Sequence, residues 1–319
     1  MSRSLRNKRL LVIGGAGFIG SHLVEALLGE SPAEILVYDD FSRGKPAHLE
    51  SALRDPRVSV FEKEASILET DRLDRAFRGR EVVFHLAALW LLHCQEHPEA
   101  AFEVNIRGTF NVLQACVQHR TPRLVFSSSA SVYGDAVEFP MREGHPLNNT
   151  TFYGATKIAG EQMCRAHHHR YGLDYAALRY MNVYGPRQDD KGAYTSVIMK
   201  VLERIERGEA PVIHGDGSQS YDFVDVTDVA RANVLAARAQ ANDQAFNVGT
   251  GRRTTIRELV ERLLEATGST LTPIFQSEAV SFVQHRVGST EAAQRALGFR
   301  AAVSLETGLK KLVASRSSR

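Results

Sequence analysis

The most constraining feature of the chain is a glycine-rich turn between a short apolar run and a helix-periodic one. Leu10-Leu11-Val12-Ile13 ends at Gly14-Gly15-Ala16-Gly17-Phe18-Ile19-Gly20, and Phe18 to Leu28 then carries helical spacing. The turn satisfies Gly-x-Gly-x-x-Gly from Gly15 and Gly-x-x-Gly-x-x-Gly from Gly14. Missing side chains let such a backbone turn sharply and approach a pyrophosphate at the positive end of the following helix. Asp39 follows 19 residues after Gly20, at the end of the next strand-like run, with Asp40 beside it. A carboxylate there accepts hydrogen bonds from an adenosine ribose and repels a 2′-phosphate, which predicts NAD rather than NADP as cofactor. Arg43, close by, reads as a solvated loop arginine.

The rest of the chain repeats the pattern. Ile35 to Tyr38, Val58 to Phe61, Val82 to Phe84 and Leu124 to Phe126 are buried-strand candidates, and Ala100 to Gln118 and Gly154 to Tyr171 are helical. Alternating β and α units predict an α/β fold, a Rossmann-type doubly wound parallel sheet that binds ligands beyond the carboxyl ends of its strands. After about Tyr180 glycines and prolines punctuate the pattern, with helices at Ile256 to Ala266 and Leu305 to Ala314. The expected division is an NAD-binding domain over 1–180, supplemented by 218–249, and a smaller C-terminal α/β substrate lobe from 181–217 and 250–319. The tail from Ser315 reads as disordered.

Composition narrows the function classes. A net charge of +2 over 319 residues gives no field that selects nucleic acid or an acidic membrane. The longest apolar stretch, Leu86 to Leu92, is too short to span a bilayer. Three cysteines without metal-ligand spacing fit a reducing, cytoplasmic setting. No metal site is expected: His167-His168-His169 point 100° apart on a helix and read as a solvated face, and His93 and His97 have no acidic partner.

Tyr153-Gly154-Ala155-Thr156-Lys157 sets a phenol and an ammonium on one helical face. A tyrosine with an ordinary pKa near 10 is a poor base at neutral pH, and a neighbouring Lys157 cation is expected to lower it for proton abstraction from a hydroxyl. Leu124-Val125-Phe126 runs into Ser127-Ser128-Ser129, so hydroxyls stand at a strand's carboxyl end just before the tyrosine helix.

With these motifs in place the chain resembles the extended short-chain dehydrogenase/reductase family, specifically its nucleotide-sugar epimerase branch. The likeness runs over essentially the full length. It includes Gly14 to Gly20, Asp39-Asp40, His85-Leu86-Ala87-Ala88, Asn105, Ser127 to Gly134 and Tyr153/Lys157. It continues through Asn182-Val183-Tyr184-Gly185-Pro186-Arg187, Gly215-Asp216-Gly217, Phe246-Asn247-Val248-Gly249 and Leu297-Gly298-Phe299. The resemblance implies Ser129, Tyr153 and Lys157 as the catalytic residues. It implies NAD contacts from Gly14, Gly17, Phe18, Ile19, Gly20, Asp39, Asp40, Ser66, Ile67, Leu86, Ala87, Ala88, Asn105, Ser127, Tyr180 and Val183, together with Tyr153 and Lys157. Trp90, Ser129, Ser131, Tyr153, Asn182, Arg187, Tyr221 and Arg286 are implied to meet a nucleotide-diphosphate sugar, and a homodimer is expected through the helices of 100–118 and 154–171.

Within that family, 4,6-dehydratases carry Thr-Asp-Glu where this chain has Ser129-Ala130-Ser131, and the related decarboxylases carry a glutamate at the Ser131 position. Neither alanine nor serine replaces those carboxyl groups, which leaves the minimal machinery for moving one hydride: inversion at C4 through a 4-keto sugar. A dehydrogenase or ketoreductase with net redox change uses the same residues and stays open as the alternative, with a non-enzymatic NAD-binding regulator behind it. Three departures from the family bear on the substrate. Ser66 stands where an aspartate usually lies beside the adenine. The loop Leu89 to Pro98 is about one residue shorter than usual and carries Trp90. Tyr221 replaces an arginine that typically contacts the diphosphate, leaving Arg286 and Arg187 as candidate cations. Family frequency favours UDP as the nucleotide, on a hexose or hexuronate, with CDP, GDP and dTDP open behind it; C4 is favoured over C2 as the inverted carbon.

Overall fold

The computed structural model describes residues 2–189, 196–277 and 283–317. Strands β1 (Arg9–Ile13), β2 (Glu34–Tyr38), β3 (Val58–Val60), β4 (Val82–His85), β5 (Arg123–Ser129) and β6 (Tyr175–Tyr180) form the main sheet together with a later strand. Helices α1 (Phe18–Leu28), α2 (Thr70–Phe77), α3 (Leu91–Glu96), α4 (Pro98–Ala101), α5 (Thr109–Gln118) and α6 (Phe152–Tyr171) connect them.

The remaining chain adds β7 (Asn182–Tyr184), α7 (Val197–Glu206), β8 (Val212–His214), β9 (Ser220–Tyr221), β10 (Phe223–Asp225), α8 (Val226–Arg238) and β11 (Gln244–Val248). It ends with β12 (Thr254–Thr255), α9 (Ile256–Thr267), β13 (Ile274–Gln276), β14 (His285–Arg286), α10 (Glu291–Leu297) and α11 (Leu305–Ser317). The large sheet is parallel throughout, in the order β11-β6-β5-β4-β1-β2-β3.

Both faces of this sheet are buried, which is why its strands read as continuous apolar runs. The two-residue period of a strand divides each run between two cores. Leu10 and Val12 join Phe84 and Val125 on one face. Leu11 and Ile13 join Val83, Leu124 and Phe126 on the other. A third apolar cluster lies in the C-terminal region, where Leu202 of α7, Leu263 of α9 and Leu309 of α11 pack around Tyr184. The prediction of a doubly wound parallel α/β sheet holds.

Helix α6 shows how the chain fixes a functional element. The Thr151 hydroxyl accepts the Gly154 N–H at 3.1 Å, capping its start, and Gly172 ends it at φ 72°. Three expectations need correction. The single helix predicted over 100–118 is interrupted by a wide π-helical turn, Phe102–Gly108, between α4 and α5. The tail does not disorder at Ser315: α11 continues to Ser317, and Arg316 is held by Glu206 through two bonds of 2.6 Å. The three histidines are not a uniform solvated face, since His167 is buried and lies 2.8 Å from the Met163 carbonyl, while His169 pairs with Asp243.

Candidate active site

The carboxyl ends of β1, β4 and β5 open into a cleft of about 410 Å³. Its lining includes Gly14, Gly17, Phe18, Ile19 and Gly20 of the first turn, Leu86 and Ala88 after β4, and Ser127, Tyr153, Lys157, Tyr180 and Val183 further along. The glycines are dictated by sterics. Gly14 sits at φ 81°, and a Cβ there would stand 2.6 Å from the Ala87 nitrogen; at Gly20 a Cβ would lie 2.1 Å from the Gly14 oxygen. Gly17 starts α1 with no side-chain cap, so the helix N–H groups face the cleft uncovered. Asp39, nearly buried, accepts Ala16 N–H and Phe41 N–H at 2.8 Å each. Burial raises its pKa and these bonds oppose the rise. A carboxylate offers about four acceptor sites, so two remain for a ribose.

At the carboxyl end of β5, Ser129 leaves the strand with its hydroxyl 3.1 Å from that of Ser131. Lys157 is buried and donates to the Ser127 carbonyl at 2.8 Å, with its ammonium 5.7 Å from the Tyr153 ring centroid. Burial lowers Lys157 to about 8. Burial also pushes Tyr153 up to about 12, opposed first by its hydrogen bond with Ser129 and then by the charge of Arg286. This corrects the expectation that Lys157 makes the phenol a ready base: in the protein alone desolvation wins, and Tyr153 is a neutral phenol at pH 7.

Behind the serines a charged network fixes the strand end. Glu161, one turn along α6 from Lys157, accepts the Ser128 hydroxyl at 2.5 Å and takes two bonds from Arg179, at 2.9 and 2.7 Å. Arg179 also donates to Tyr133, which bonds Asn247 at 2.6 Å. Ser127 meets the Tyr180 hydroxyl at 2.8 Å, and Tyr180 donates to Asn233 at 3.0 Å.

Several residues assigned from the sequence lie elsewhere. Asn105 does not line the cleft. Its amide accepts the Leu89 N–H at 2.7 Å and donates to the Leu89 carbonyl and Thr156, clamping the loop after β4 from the π-helical turn. Asp40 caps its own turn by accepting the Ser42 N–H and hydroxyl. Ser66 accepts the Leu68 N–H, and Ile67 packs where a Cβ on Gly108 would collide with it. The Ala87 backbone crosses Gly14, and Asn182 sits at the start of β7 opposite Phe223. Arg187 lines the cleft and pairs with Glu25 of α1 at 2.5 Å. Trp90 lines the cleft as well. Tyr221 and Arg286 face each other in the small sheet β12-β9-β14. The Tyr221 hydroxyl is committed to the Val283 carbonyl at 2.8 Å. Arg286 keeps a buried Nε without a hydrogen-bond partner among the described residues.

The cleft also contains residues the sequence reading passed over. Arg43, Lys45 and His48 reach it from the loop after β2, and Gln188 and Asp189 from the loop after β7. The signal for Lys45 and His48 was their place just after Asp39. Arg43 is exposed, as expected of a loop arginine, but it is not free: its guanidinium lies 3.7 Å from the Trp90 ring centroid and pairs with Asp189 at 2.9 Å.

A parallel sheet with a glycine-lined cleft over β1 and a Ser-Tyr-Lys group beside it defines a dinucleotide-dependent enzyme of Rossmann type. The chain belongs to the NAD dependent epimerase/dehydratase family, whose profile matches residues 10–249. It is 34% identical over 307 residues to a UDP-glucose 4-epimerase of Mycolicibacterium smegmatis, covering 96% of this chain and 97% of that one. Among solved structures it resembles the Thermotoga maritima UDP-glucose 4-epimerase with UDP-glucose (TM-score 0.90, 35% identity, 97% and 99% of the two chains). It also resembles the Thermus thermophilus UDP-glucose 4-epimerase complex with NAD (TM-score 0.86, 33% identity, 98% and 100%). Relatives named as a UDP-N-acetyl-alpha-D-glucosaminuronate decarboxylase and a dTDP-glucose 4,6-dehydratase match it too. The cofactor is NAD. No helix among the described residues is long and apolar enough to cross a membrane.

Proposed function

We propose that the chain is a nucleotide-sugar 4-epimerase acting on a UDP-hexose or UDP-hexuronate. The observation that carries this reading is the equipment of the site: Ser129, Tyr153 and Lys157 are present, but no carboxyl group stands where elimination or decarboxylation needs one. Ala130 and Ser131 occupy those places, and the Ser131 hydroxyl is bonded to Ser129. Among the described residues lining the cleft the one carboxylate is Asp189, tied to Arg43.

NAD, held over the glycine turn, would supply an acceptor for the C4 hydrogen with its bonding electron pair and would allow both to be returned. Tyr153, whose ionisation the Lys157 charge and a bound cationic cofactor would favour, would take the 4-hydroxyl proton as the C4–H bond breaks and C4=O forms. Ser129 donates to the same oxygen and holds it in place. After the 4-keto sugar turns over, Tyr153 returns the proton and C4 regains its hydrogen on the opposite face. Lys157 is anchored on Ser127, so its charge is fixed where the phenolate forms. Arg286, buried and unpaired at Nε, meets the substrate diphosphate.

The test is proton NMR of the purified protein with UDP-glucose, UDP-glucuronate and UDP-N-acetylglucosamine, without added cofactor. The expected result is a 4-epimer approaching a constant ratio with no net NADH. Reaction only after NAD is added, with NADH formed in proportion, would support the dehydrogenase reading instead.

The proposed assembly is a homodimer through α5, α6 and the turn before α5, where Phe102, Phe110, Phe152 and Tyr171 are exposed by 44–50%. The His167 ring lies between those of Phe110 and Tyr171 on this face, 5.7 Å from each. Phe110→Glu is expected to shift the protein from dimer to monomer in sedimentation experiments, since a buried unpaired carboxylate costs several kcal/mol; an unchanged mass places the interface elsewhere.

A further inference from the structure

Three loops that are remote in sequence meet over the glycine turn. The first follows β2 and is seated on the turn itself. Its Lys45 N–H donates to the Ala16 carbonyl at 3.2 Å, His48 Nδ1 lies 3.0 Å from the same oxygen, and a Cβ on Gly44 would stand 2.8 Å from that of Ala16. From there Arg43 reaches the face of Trp90, which follows β4. In the sheet β1 lies between β4 and β2. The Arg43–Trp90 contact therefore spans the carboxyl end of β1, where the N–H groups of 14–20 cradle a pyrophosphate. Asp189, from the third loop, pairs with the same guanidinium at 2.9 Å. Trp90 is backed by His93, with ring centroids 4.8 Å apart.

We propose that Arg43, Trp90 and Asp189 form a strap that retains NAD, with Arg43 placing a cation over the pyrophosphate cradle. Arg43 is the moving part. A guanidinium stacks flat on an indole and binds a carboxylate at its edge simultaneously, which a lysine does less well. Neither contact is strong alone, because the ion pair is half-exposed and the cation–π pair is exposed to solvent. The strap therefore opens to admit the dinucleotide and, once closed, adds a charge-assisted contact to the bound phosphates. Trp90 is thus assigned to the cofactor rather than to the sugar. The inference rests on NAD occupying the glycine turn and is independent of the sugar and of epimerisation.

The test measures cofactor release from the holoprotein. Protein loaded with NADH is mixed with excess NAD, and NADH fluorescence follows its departure. In the wild type, energy transfer from Trp90, the sole tryptophan of the chain, gives a second signal from the strap itself. Arg43→Ala is expected to speed release at least about tenfold, the loss of one charge-assisted contact plus the stacking. Arg43→Lys falls between the two, because charge is kept and the planar face is lost. Asp189→Asn gives a smaller increase. NAD is also expected to shield Trp90 from acrylamide quenching in the wild type and not in Arg43→Ala. Release rates within twofold across the variants, with unchanged quenching, would overturn the strap. A wild-type protein that gives no energy transfer to NADH would instead overturn cofactor binding at the glycine turn.

Discussion

Replacing Tyr153 with phenylalanine is expected to lower turnover by about three orders of magnitude or more while NAD stays bound. General base catalysis by a positioned side chain is worth about 10² to 10⁴ in rate, and among the described residues no other side chain at this end of the cleft offers a substitute. Lys157 is bonded to Ser127, and once the Tyr153 hydroxyl is gone the partner left to the Ser129 hydroxyl among the described residues is that of Ser131. The phenol is pushed up to about 12 in the protein alone, so its ionisation has to come with the cofactor's positive charge. Tyrosinate absorbance appearing on addition of NAD to the wild type, and absent in Tyr153→Phe, checks this directly. Unchanged turnover in the variant would remove Tyr153 from the mechanism.

Arg286→Met carries the second large effect, with opposite signs on function and stability. Burial lowers the pKa of Arg286, and its Nε has no partner among the described residues. A desolvated cation is costly until an anion arrives. Removing it is expected to cut kcat/KM for the nucleotide sugar about 30- to 1,000-fold, corresponding to roughly 2–4 kcal/mol for a desolvated charge contact. The same change should leave Tm unaltered or raise it by about 1–3 °C, because methionine fills the volume without the charge. Tyr221→Phe is the companion variant: its hydroxyl is spent on Val283, so substrate affinity should stay within about threefold. A lower Tm with undiminished affinity in Arg286→Met would make Arg286 a structural residue.

Much of this organisation is legible in the sequence because it is set by local sterics and by period. The helix read from Phe18 to Leu28 has those bounds in the structure, since Gly17 and Gly29 flank it on both sides. The strands are visible because both faces of the sheet are buried, and Tyr153 and Lys157 are near each other because helical spacing puts them there. What was not legible depends on partners distant in the chain. Arg43 read as a loop arginine because nothing local reveals that Trp90 and Asp189 converge on it. The helix break at Phe102–Gly108 has no glycine or proline at its start and is recognisable only through Asn105 reaching back to Leu89. Arg187 and Arg286 are equivalent as sequence candidates, yet one faces Glu25 of the helix after the glycine turn and the other Tyr153. The rise of the Tyr153 phenol in the protein alone is not legible either, because spacing shows the lysine but not the depth of burial.

The central claim is that hydrogen leaves C4 and returns to it within one binding event. A nucleotide sugar carrying deuterium at C4, incubated with the protein in ordinary water without added NAD, tests it most directly. The expected result is a 4-epimer with deuterium fully retained at C4. Loss of the label to solvent, or its appearance in released NADH in proportion to product, would contradict the account.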